Sequence, residues 1–112
     1  MQFINLTPHT VVIYENGRIS NALPSAGNAR VTVLPEQPEM IDGIPVLPPV
    51  QYGDVTGLPD SQPHTLYIVS LVVAIAMTDS GRRDLVIPAW DPSNVIRNAE
   101  GHIIGVKALR RG

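Results

Sequence analysis

The chain contains no cysteine, which excludes disulfides, thiolate metal sites and a cysteine nucleophile, and fits a reducing, cytoplasmic setting. Aromatic residues are scarce. Phe3, Tyr14, Tyr52, Tyr67 and Trp90 are the whole set, so Val, Ile and Leu must fill the interior. No long apolar run exists: the longest, residues 66–77, is well short of the ~20 residues that a membrane span needs. It reads as a buried strand entering a buried helix, and no membrane partner is expected. The start, Met1-Gln2-Phe3-Ile4-Asn5, has no basic segment and no apolar stretch of signal-peptide length. An excess of positive charge is missing as well. The net charge of −2 and pI near 5.8 leave no basic stripe to neutralise a phosphate backbone, so no polymeric nucleic acid is expected as a partner.

Proline and glycine, by contrast, are plentiful, at eleven and nine. They cut the chain into short elements and argue against long helices. The 112 residues fit a single domain over 1–112, and 44% hydrophobic residues suffice for a modest core.

Strands are expected at 3–6 and 10–15, the second rich in β-branched residues. Asn16-Gly17 supplies the positive φ angles of a tight hairpin turn, and the chain resumes at Arg18. A strand follows at 29–34. Residues 35–63 hold most of the prolines, so edge strands or extended loops are expected there. Asp42-Gly43 marks a second hairpin turn, and 50–55 a strand. Residues 65–69 read as a central strand. Ser70 then caps a helix over about 70–78, which is apolar from 71 to 77 and should be covered on most sides. A short strand at 84–88 and a hairpin around residues 98–101 close the chain, with Arg110-Arg111 expected to fray. The fold class is therefore α+β, mainly β: a small mixed sheet or partly open barrel of about seven short strands with one apolar helix.

Three constellations can carry chemistry. Asn5-Leu6-Thr7-Pro8-His9-Thr10 lies between two strands. Asn5, Thr7 and His9 offer amide, hydroxyl and imidazole groups suited to a base, a ribose or a phosphate. Alternatively the segment is a rigid corner whose side chains satisfy its own backbone. Tyr67-Ile68-Val69-Ser70 leads into the helix, whose first N–H groups and Ser70 hydroxyl would suit an anion, or Ser70 is an ordinary cap. Gly81-Arg82-Arg83-Asp84 presents an arginine fork for phosphate or carboxylate, unless Asp84 simply pairs with one of the arginines. Arg30 and Arg97, set among apolar strand residues, are further anion-binding candidates. No glycine-rich phosphate loop precedes the helix. Ser70, His9 and Asp84 lack a nucleophile elbow, and His9, His64 and His102 lack paired metal spacing, so neither a catalytic residue nor a metal or cofactor is expected.

The Asn5-Leu6-Thr7-Pro8-His9 start, Tyr67-Ile68-Val69-Ser70 with its apolar helix, Val95-Ile96-Arg97-Asn98 and the segment 101–105 together resemble small uncharacterised proteins encoded in bacteriophage and prophage genomes. That resemblance covers most of the chain and assigns no activity. Phage proteins of this size include sponges that sequester nucleotide immune signals of the bacterial host, a parallel of size and origin. The expected function is thus sequestration of a small anionic, nucleotide-derived ligand in the host cytoplasm, by Asn5, Thr7, His9, Tyr67, Ser70 and one or more arginines. The alternative is a structural or protein-interaction component of a phage or prophage, and a third reading is a small phosphodiesterase or nucleosidase. Asn5, His9, Ser70 and at least one of Arg82 or Arg83 should converge on one concave surface, and a homodimer is expected from the proline-broken edges.

Overall fold

Two-residue turns and prolines divide the chain as its composition requires, and the computed structural model describes residues 1–112. Strands β1 (Gln2–Asn5) and β2 (Val11–Glu15) flank the polar corner, and β2 returns as β3 (Arg18–Leu23). Asn16 and Gly17 make that turn with φ of 52° and 76°, the left-handed pair a type I′ hairpin needs. Strand β4 (Arg30–Val33) leads out to β5 (Glu39–Ile41) and β6 (Ile44–Val46), joined by Asp42-Gly43, and β7 (Tyr52–Thr56) comes back to pair with β4. Then come β8 (Thr65–Ile68), helix α1 (Leu71–Ala76), a 3₁₀ turn at Thr78–Ser80 and β9 (Leu85–Pro88). Strands β10 (Val95–Arg97), β11 (Ile103–Val106) and β12 (Leu109–Arg111) complete the chain.

The central sheet has the order β1-β8-β9-β12, with β1, β8 and β9 parallel and β12 antiparallel to β9. A second sheet runs β10-β11-β2-β3. The pairs β4-β7 and β5-β6 are separate two-stranded ribbons. The fold is mainly β in small mixed sheets, with one short helix and no closed barrel.

Alternation along β8 and β9 sends side chains to both faces of the central sheet. Tyr67, Val69 and Leu85 meet Val73 and Ala74 of α1, with Val31 of β4 and Val55 of β7 packed against them. Ile68 and Val86 point the other way, onto Val11, with Ile13 and Leu23 of the second sheet alongside. Burial on both faces explains why β8 reads as a nearly unbroken apolar run. Gly57 permits the return of β7: its φ is +77°, and a Cβ there would lie 2.5 Å from the carbonyl oxygen of Asn28.

Only 16 residues are buried. The radius of gyration is 16.8 Å, against roughly 13 Å expected for a compact domain of this length. The excess comes from the β5-β6 arm, which pairs with no other strand and lies in a stretch, residues 37–51, that is exposed throughout.

Two local expectations are corrected. Helix α1 is not covered on most sides: Leu71, Val72 and Ile75 are about half exposed, because only one face of a six-residue helix meets the sheet. The C-terminus does not fray either, since β12 adds an edge strand to β9 and Gly112 N–H donates to the Leu85 carbonyl at 3.0 Å.

Candidate functional site

The parallel strands β1, β8 and β9 end on the same side of the molecule. In open sheets with parallel strands, the carboxyl ends are where crevices form. Here a cleft of about 410 Å³ lies between those ends, the 7–10 corner and β11. Thr7, His9, Thr10 and Ser70 supply its polar side chains, Trp90 its aromatic surface, and Pro88 and Ile104 are among its apolar walls.

The corner is built on Asn5, which is 1% exposed. Its amide donates to the carbonyls of His9 and Leu23, both at 2.8 Å. Its Oδ1 accepts from the Thr7 N–H at 2.9 Å and the Thr7 hydroxyl at 2.6 Å. The Ser25 hydroxyl in turn donates to the Thr7 carbonyl at 2.6 Å. The self-satisfied reading therefore describes Asn5: every polar atom of its side chain is engaged with its own chain, as a buried amide requires. Thr7 shares this network yet also reaches the cleft, and His9 lines the cleft with its side chain free of hydrogen-bond partners.

Ser70 sits at the N-cap of α1, where its Oγ accepts from the Val73 N–H at 3.3 Å. The hydroxyl keeps its own proton and a second lone pair beyond that contact, and Ser70 also lines the cleft. Trp90 follows β9 on a tied-down loop. Asp91 accepts from Arg110 at 2.8 Å and from Asn94 at 2.7 Å, and these bonds, Arg110 first, hold its carboxyl below the usual carboxylate range. Gly105 forms part of the same wall; a Cβ there would meet the Tyr14 ring at 2.6 Å.

The structure brings together Thr7, His9 and Ser70 but none of the four arginines. Arg82 and Arg83 precede β9, at the amino ends of the parallel strands, whereas Ser70 follows β8 at the carboxyl ends. Because Tyr67 N–H bonds the Asp84 carbonyl at 2.8 Å, three residues of strand, roughly 10 Å, lie between the two levels. The expected convergence on an Arg82 or Arg83 fork is thus corrected by parallel pairing. Arg82 instead makes a bidentate pair with Asp84, at 2.8 and 2.9 Å, and donates to the Pro59 carbonyl at 2.9 Å. The pair raises the Arg82 pKa and lowers that of Asp84, with their mutual hydrogen bonds the leading cause in each case. Arg83 is exposed. Arg97 donates to the Gly101 carbonyl at 2.7 Å, stiffening the β10-β11 turn. Arg30 is exposed on β4, where the Asn28 side-chain oxygen accepts from it at 2.8 and 3.1 Å in the amide orientation that satisfies both. Tyr67 is a core residue, 2% exposed, with its hydroxyl 3.3 Å from the Asp60 carbonyl and Arg82 6.0 Å from its ring centre.

Ser70 and His9 share the cleft, but Asp84 is committed to Arg82 at the far end of the strands, so the hydrolase triad has no third member. Among His, Asp and Glu side chains, no group of three comes together as a metal site. Trp90 and Ile104 escaped sequence reasoning because sequence spacing does not reveal which distant strands meet. The one available signal was a lone tryptophan in Ala-Trp-Asp-Pro directly after a strand. No protein-family model, curated protein or solved structure matches this chain.

Proposed function

We propose that this chain is a non-enzymatic binding protein that sequesters a small nucleotide-derived molecule, holding its base in the Thr7–His9–Ser70–Trp90 cleft. The observation that carries the reading is the composition of that cleft: one exposed indole, apolar walls and the hydrogen-bonding side chains of Thr7, His9, Thr10 and Ser70, beside the carboxyl ends of parallel strands. Such a surface suits a planar ring with a polar edge, because an indole stacks on the face while hydroxyl and imidazole groups meet the rim. No arginine or lysine lines the cleft, so the base is the recognised part and any phosphates project outward into solvent. A phage or prophage setting would make a host signal the natural ligand.

Trp90 is the sole tryptophan, so its emission reports on the cleft directly. The protein is incubated with a bacterial nucleotide extract, recovered, and its bound molecules identified and compared with the input. The expected result is an intact base-bearing molecule that quenches Trp90 on titration. Trp90→Ala should weaken retention about tenfold or more. Ser70→Gly, which costs the cap only a few tenths of a kcal/mol, should weaken retention while the fold persists. A retained molecule that emerges chemically altered makes the protein an enzyme. Unchanged emission across nucleobases, nucleosides and nucleotides up to millimolar removes the reading altogether. The alternative, a component that binds only protein, is favoured by a different observation: the apolar surface left uncovered on the β5-β6 arm.

A further inference from the structure

The β5-β6 arm has no polar face. Its register pairs Glu39 with Val46, Met40 with Pro45 and Ile41 with Ile44, and paired residues share a side of a ribbon. One face therefore carries Ile41, Ile44 and Val46, with Glu39 at its base, and the other carries Met40 and Pro45. Met40 and Ile44 are 61% and 64% exposed. An isolated two-stranded ribbon is marginal in water, and one that is apolar on both sides calls for a cover that this chain does not provide.

A matching surface lies elsewhere on the molecule. On the face of the central sheet away from α1, a groove of about 390 Å³ is floored by Phe3, Leu66, Val86 and Leu109 and flanked by Ile13 and Leu23. Arg111 stands at its rim and donates to the Arg83 carbonyl at 2.7 Å. Neither arginine forms a salt bridge. Charge is divided in the same sense: from residue 31 to 81 the chain contains no lysine or arginine, and the arm region carries Glu36, Glu39 and Asp42. The arm is thus acidic and apolar, the groove basic-rimmed and apolar. A chain's own arm springs from β4 and β7, which pack on the opposite face of the sheet, so it does not reach the groove.

We infer that the β5-β6 arm of one copy docks in the β1-β8-β9-β12 groove of a second copy, and that the exchange is reciprocal. Reciprocity follows from symmetry: two copies about a two-fold axis each seat an arm in the other's groove, which closes the assembly and doubles the buried area toward the roughly 1,200 Å² at which stable interfaces begin.

The test uses the full chain and its mass in solution by light scattering and sedimentation. The wild type should have twice the 12.1 kDa chain mass. Ile41→Ser with Ile44→Ser should weaken the dimer by at least about 100-fold. These two residues are outside the core, so an unchanged Trp90 emission, and an unchanged melting curve at concentrations where both proteins are monomeric, verify that the fold is intact. Glu39→Arg and Arg111→Glu should each weaken it about tenfold or more, because each sets like charges together. Mixed in equal amounts, these two charge variants should form a hybrid dimer of near wild-type affinity, since both arm–groove contacts then join opposite charges. A wild type that stays monomeric up to millimolar overturns the inference. So does a dimer indifferent to the Ile41/Ile44 pair, or charge variants that fail to complement on mixing.

Discussion

Replacing Asn5 tests whether the corner is architecture rather than ligand contact. The side chain is 1% exposed and makes four hydrogen bonds within the chain, to Thr7 twice, His9 and Leu23. Asn5→Ala deletes all four and leaves two carbonyls and one backbone N–H without that partner. Each net hydrogen bond is worth about 1 kcal/mol, and each group left dry costs about 1–3 kcal/mol. With water reaching part of the gap at His9, the loss should be about 3–5 kcal/mol, a large share of the 5–15 kcal/mol typical of a domain. Asn5→Asp keeps the shape but not the chemistry. An ionised carboxylate cannot donate to the His9 and Leu23 carbonyls, and burying its charge is costly. Near neutral pH it should therefore cost at least as much as alanine. Burial favours the protonated acid in the folded state, so the introduced group's pKa is raised on folding. The variant's deficit relative to wild type is then largest above that raised pKa. It shrinks as pH falls through it, because the neutral acid donates one of the two lost bonds. Urea unfolding of wild type and both variants, from neutral pH down to mildly acidic, measures these differences. Losses below about 1 kcal/mol for Asn5→Ala, or an Asn5→Asp deficit independent of pH, would refute the structural role.

Gly57→Ala should cost several kcal/mol, since it combines φ of +77° with a 2.5 Å clash against backbone, whereas Gly17→Ala, at φ of +76° in open space, should cost only about 1 kcal/mol; thermal melts of the two rank them, and equal losses would refute the steric argument. Arg82 holds the Asp84 pKa below its ordinary value, so the pair's stabilisation is present above the unfolded carboxylate pKa and disappears as pH falls through the lower folded value. Asp84→Asn should accordingly lose about 1–3 kcal/mol near neutral pH and little in strong acid, and a deficit that is flat with pH would contradict the pairing.

Local signals were legible where short-range sterics decide the structure. Asn16-Gly17 and Asp42-Gly43 are turns because few other pairs adopt two consecutive left-handed residues, and both lie where the dipeptides placed them. The apolar run at 65–69 became a central strand, and Ser70 became a cap. Longer-range features were not legible. About seven strands were expected and twelve are present. Several of the added ones have only three residues, as β5, β6 and β12 do, too few to show a period of two. The apolar residues 71–77 implied enclosure, yet composition says only that a surface is apolar, not whether its cover lies in the same chain.

The site was half legible for a reason that lies in topology. Thr7, His9 and Ser70 follow strands β1 and β8, and parallel neighbours present their carboxyl ends together, so residues just after two such strands meet whatever their separation in sequence. Arg82 and Arg83 stand just before β9 and are carried to the opposite end by the same rule. Deciding between these outcomes requires knowing that β8 and β9 are parallel, and 16 residues separate Ile68 from Leu85 in the chain. A connection of that length excludes a tight antiparallel hairpin, and a helical crossover between adjacent strands implies parallel pairing. Read that way, the segment Ser70 to Asp84 already separates its own two ends, and a serine after the first strand cannot share a phosphate with arginines before the second. What sequence spacing leaves open is the third wall. Strand β11 reaches the cleft by pairing in parallel with β2, through Val106 and Ile13, and that contact between residues far apart in the chain leaves no local pattern behind.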